Sequence, residues 1–74
     1  MNVPTIDLIA TGKNISMLRK NAGITVRDFQ TAKGFNTPQA IFKWQRGDSL
    51  PTVDNLVILA SVFGVKIDDI LVLS

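Results

Sequence analysis

In residues 37–47, TPQAIFKWQRG, the amide of Gln39, the amine of Lys43 and the guanidinium of Arg46 are hydrogen-bond donors of three different shapes. At about 100° per residue on a helix they share one strip with Phe42. No acid interrupts that strip. An amide donates and accepts at once, a guanidinium grips paired oxygens, and an ammonium acts as a point charge. This is recognition chemistry, suited to a surface that is anionic and studded with acceptors.

Catalytic chemistry finds no support. The chain has neither histidine nor cysteine, and all of its acids are aspartates. The usual bases, nucleophiles, disulfides and zinc-ligand sets are therefore excluded. Asp68 and Asp69 are adjacent, so on a helix they diverge by about 100° and do not converge as a carboxylate pair. Phosphate-cradling and dinucleotide-binding glycine patterns are also missing. The expectation is a protein that is not an enzyme and uses no cofactor and no metal.

For the strip to face outward, something must hold the opposite side of the helix. Ala40, Ile41 and Trp44 share an arc of about 100° on that side and are expected to be buried. Thr37 is a natural N-cap, Pro38 suits the first helical position, where its missing N–H costs nothing, and Gly47 suits the end.

The remaining punctuation defines the partners. Residues 11–22 space Ile15, Leu18 and Ala22 along one helical face and stop at Gly23, with Arg19 and Lys20 favourably placed at the negative end of the dipole. Thr25 and Asp28 form a capping box for a short second helix expected to stop at Gly34, and Ile24 and Phe29 stand at the positions of a hydrophobic staple. Thr52 caps a fourth helix that Gly64 ends. Its stripe is Leu56, Leu59, Ala60 and Phe63, but Val53, Val57, Ile58 and Val62 make it apolar nearly all round, so burial on more than one side is expected. A last helix over residues 67–72 turns Ile67, Ile70 and Leu71 inward.

Residues 1–10 read as an arm, in which Ile6 and Leu8 alternate like a strand while Thr5 is a possible helix cap. The domain proper is then 11–74. Its expected core includes Ile15, Leu18, Phe29, Ile41, Trp44, Leu56, Leu59 and Phe63. Five short helices with short connections make an all-α bundle.

With 74 residues there is room for one core only. Net charge is +2, but its distribution is uneven: residues 1–46 carry +5 and residues 47–74 carry −3. A basic half suits a polyanion, and an acidic, apolar half suits another contact. No segment resembles a signal peptide and the longest apolar run is too short to span a bilayer, so a cytoplasmic location is expected, on the nucleoid when bound.

The segments ISMLRKNAGITVRDF, GFNTPQAIFKWQRG and SLPTVDNLVILASVFGVKIDDIL, in this order and spacing, resemble the Cro-like helix-turn-helix family of phage repressors and small bacterial regulators. The run TPQAIFKWQRG…LPTVDNL is especially similar to short regulators of Gram-positive bacteria. The resemblance covers roughly residues 11–71 and implies a lambda-repressor-like bundle that binds double-stranded DNA. The second helix would lie across the backbone and the third would enter the major groove.

Carried over by position, Thr37, Gln39, Phe42 and Lys43 fall where members touch bases or adjacent phosphates. Val26 and Arg27, and more weakly Asn55, fall at phosphate positions; Arg46, on the same strip, is assigned to phosphate with them. Three features depart from the family's pattern. Val26 replaces a common Gln, Gln30 and Lys33 replace the usual Ala and Leu, and the turn over residues 34–37 is one residue longer, with Phe35 available to fill the gap.

The expected function is that of a transcriptional regulator, a repressor, working as a homodimer through helices 53–63 and 67–72 and the C-terminal tail. The alternative is an antitoxin or adaptor module that acts mainly by binding another protein. The basic half favours DNA, whereas the apolar C-terminal half favours a protein contact.

Overall fold

The helices begin and end where short polar side chains and glycines can satisfy the backbone. A computed structural model describes residues 3–31 and 38–74, with side chains throughout except at 29–31 and 38. Among the described residues five helices follow in order: α1 Leu8–Asn21, α2 Val26–Thr31, α3 Pro38–Arg46, α4 Val53–Phe63 and α5 Ile67–Ile70. Among the described residues the only β pairing is an isolated antiparallel bridge, Ile6 to Leu73. The architecture is an all-α bundle of short helices.

The core is built from Ile15 of α1, Ile41 and Trp44 of α3, Leu56 and Leu59 of α4, and Ile70 of α5. Leu18, Val26, Ala40 and Phe63 are half-buried and pack against that cluster. Phe29, expected in the core and in a staple with Ile24, has its side chain outside the described set, as does the expected end of α2 at Gly34.

Three expectations need correction. The first helix begins at Leu8, not Thr11, because Asp7 rather than Thr5 is its cap: the carboxylate accepts from the Ala10 amide at 2.9 Å. Leu8 is therefore helical, and of the strand-like pair only Ile6 joins a bridge. The last helix ends at Ile70 rather than 72, because Leu71 turns extended and Val72 is drawn to the N-terminal segment. There Asp7 N–H donates to the Val72 carbonyl at 2.8 Å, Val72 N–H donates to the buried Thr11 Oγ1 at 2.9 Å, and Ser74 N–H donates to Thr5 O at 2.8 Å. Asn14 completes the clamp, its Nδ2 donating to the carbonyls of Asp69 and Ile70.

The third correction concerns α4. Its inward stripe is covered, but Val53 is 73% exposed and Val57 55%, so this chain by itself does not bury the helix on a second side.

Candidate nucleic-acid interface

A nine-residue helix has little stability of its own in water, so the placement of α3 depends on what grips it. α1 does most of this. The two backbones touch at Gly12, where a β-carbon would strike the Trp44 carbonyl oxygen and lie 2.7 Å from that of Gln45. Gly12 is thus the crossing point, and only a residue without a side chain admits the approach. Ile41 and Trp44 sink into the core beside it.

Arg19 adds a polar tie. Its Nε donates to Gln45 Oε1 at 3.1 Å and its Nη1 to the Ile24 carbonyl at 2.9 Å. One guanidinium therefore links α1, the turn into α2, and α3. From sequence, Arg19 has only its place at the negative end of the α1 dipole. The usable signal was its angular position: on α1 it lies about 40° from Ile15, inside the buried arc, where an Arg requires acceptors.

The N-terminus of α2 carries a reciprocal cap. Thr25 N–H donates to Asp28 Oδ2 at 2.7 Å, and Asp28 N–H donates to Thr25 Oγ1 at 3.1 Å. The backbone bond from Thr25, followed by the side-chain bond with the same residue, holds the Asp28 carboxyl below its ordinary pKa. Arg27 beside it is exposed, while Val26 is half-buried against the core.

On α3, Gln39, Phe42, Lys43 and Arg46 are all exposed, forming the arc opposite Ile41 and Trp44. Phe42 is 44% exposed, a large ring on the wet side of the helix with nothing in the described chain to cover it fully. Thr37 lies outside the described residues. Asn55 is half-buried in the first turn of α4, its backbone N–H donating to the capping Thr52 hydroxyl oxygen at 3.3 Å.

α3 ends in two reverse bonds. Gly47, at φ 81°, donates to Trp44 O at 3.1 Å, and Asp48 N–H donates to Lys43 O at 2.9 Å. This is the Schellman arrangement, which satisfies carbonyls the helix leaves unpaired. It brings Asp48 back beside the strip, where its Oδ2 accepts from Arg46 Nε at 3.0 Å. Both partners are largely exposed. The sequence reading passed over this pair, although an acid two residues after a helix-terminal Arg, with a glycine between, is visible signal for it.

Assembled, the surface presents an amide, an aromatic edge, an ammonium and a guanidinium from α3, with Arg27 on the neighbouring α2. Among the described residues no group of three or more acidic side chains is placed so that it could hold a metal ion. Among the described residues no helix is long and apolar enough to cross a membrane.

A family model described as helix-turn-helix matches residues 15–70, most of the chain. No curated protein and no solved structure shows significant similarity.

Proposed function

The chain belongs to the Cro/C1-type helix-turn-helix family of DNA-binding regulators, and on that premise we propose that it binds double-stranded DNA sequence-specifically and represses transcription, with α3 in the major groove. The observation that carries this reading is the phase of α3: its donors and Phe42 all lie opposite Ile41 and Trp44.

In this reading Gln39 pairs with the paired donor and acceptor of an adenine edge, and Phe42 lies against a thymine methyl or a sugar. Lys43 reaches a guanine edge or a phosphate. Thr37, the residue before α3, is assigned to a base edge or an adjacent phosphate. Arg27, Arg46, Asn55 and the backbone at Val26 hold the phosphates that set register.

A homodimer would set two such helices about 34 Å apart on successive major grooves. The exposed Val53 and Val57 favour such pairing through α4. The same valines are the observation behind a second reading, an antitoxin or adaptor whose main partner is another protein.

The direct test is the salt dependence of binding. Lys43→Ala is expected to weaken binding to all sequences and to lower the slope of log affinity against log salt by about one. A variant with unchanged affinity and slope would remove Lys43 from the interface.

A further inference from the structure

Arg46 sits on the DNA-facing strip, yet it is not a free cation: Asp48 holds its Nε at 3.0 Å. A carboxylate beside a surface meant for a polyanion looks counterproductive, since it lowers the local potential. The geometry explains it otherwise. Asp48 is fixed by the backbone rather than by its own side chain. Its N–H is bonded to Lys43 O, and Gly47 before it is packed so tightly on α1 that a β-carbon would lie 2.9 Å from Ile9 Cα.

A carboxylate anchored in this way contacts the guanidinium from the side. Nε is occupied, while among the described residues nothing engages Nη1 or Nη2. Those two nitrogens form the end-on edge of the fork, the edge that grips two oxygens of one phosphate. An Arg side chain free in water populates many rotamers and gives up that freedom on binding. One held by Nε has already lost part of it.

We propose that Asp48 is a positioning residue for DNA binding, ordering Arg46 so that its Nη edge faces a backbone phosphate. This rests on the assignment of the α3 strip to DNA. It predicts an order of affinities that charge alone does not give. Asp48→Ala removes a negative charge near DNA and would strengthen binding if only electrostatics mattered. If Asp48 positions Arg46, the same change weakens binding, by about two- to fivefold for an exposed pair of this kind. Asp48→Asn keeps an acceptor oxygen for Nε while losing the charge, and so binds at least as tightly as the wild type.

The experiment measures the affinity of the full chain for a labelled mixed-sequence duplex by fluorescence anisotropy over a salt series. The variants are Asp48→Ala, Asp48→Asn, Arg46→Ala, Arg46→Ala/Asp48→Ala and Lys43→Ala, each checked for an unchanged thermal melt. The expected result is weaker binding by Asp48→Ala, recovery by Asp48→Asn, and no further loss from Asp48→Ala once Arg46 is absent. Asp48→Ala binding as tightly as Asp48→Asn would overturn the proposal, as would an equal loss in the Arg46→Ala background. If Lys43→Ala and Arg46→Ala weaken binding while Asp48→Ala does not, positioning alone fails. If neither Lys43→Ala nor Arg46→Ala weakens it, the assignment of the strip to DNA falls as well.

Discussion

At the scale of single residues, the interface joins side chains that meet a partner with side chains that hold them in place. Gln39 is proposed for the first group, and Gln39→Ala is expected to relax preference at one base pair at a cost of roughly 1–3 kcal/mol. Binding to a panel of single-base variants checks this, and an unchanged preference would take Gln39 out of base reading. Asp28 belongs to the second group. Its folded-state pKa is depressed by the Thr25 bonds, so its contribution to stability is complete above the ordinary aspartate pKa and is lost as pH falls through the lowered value. Urea midpoints of wild type and Asp28→Ala should differ most at neutral pH and converge in acid.

The types and spacing of residues 37–47 made Gln39, Phe42, Lys43 and Arg46 legible from sequence, because helical phase separates them from Ile41 and Trp44 without further information. The ties from Arg19 to Gln45 and from Arg46 to Asp48 were not read. The first joins residues 26 apart, and a partner that distant depends on how helices cross. The second was local and depends on the turn at Gly47, whose left-handed φ folds Asp48 back.

At the scale of elements, the polar caps at Thr25 and Thr52 and the glycine stops were legible, whereas the start of α1 and the end of α5 were not. Gly23, Gly47 and Gly64 all take positive φ at helix ends, as expected for residues that bear no steric penalty there. The first helix of the 11–74 domain starts a turn earlier than residues 11–22 suggest, because Asp7, within the segment that reads as an arm, is the cap, and Thr11 is buried with its hydroxyl bonded to Val72. That role requires the C-terminal tail to fold back over sixty residues of chain separation, which no local pattern encodes.

Gly12 has the same character. Within a helix glycine normally costs about 1 kcal/mol relative to alanine, yet here it admits α3. Gly12→Ala is therefore expected to destabilise by about 1–3 kcal/mol despite its better helix propensity, since rigid backbone carbonyls stand where the methyl would go. A raised melting temperature would show that the two helices separate more easily than their packing implies.

For the whole molecule, the open question raised by the surface is what covers α4. The inward stripe of this helix completes the core, and the tail that was expected to pair with a second copy is tied in part to the chain's own N-terminal segment through Thr5, Asp7, Thr11 and Asn14. Val53 and Val57 are left exposed, in the half of the chain that carries net negative charge. If they form the homodimer contact, light scattering at tens of micromolar gives twice the chain mass for the wild type and the single mass for Val57→Lys. A single mass for both, with and without DNA, would contradict pairing through α4.

Whether the outward strip of α3 reads DNA is tested by a selection of genomic fragments with the purified protein, sequenced alongside a selection with Gln39→Ala/Lys43→Ala. If it does, the wild type recovers an inverted-repeat motif that the double variant loses. Absence of any motif, with both proteins recovering the same fragments, would contradict it.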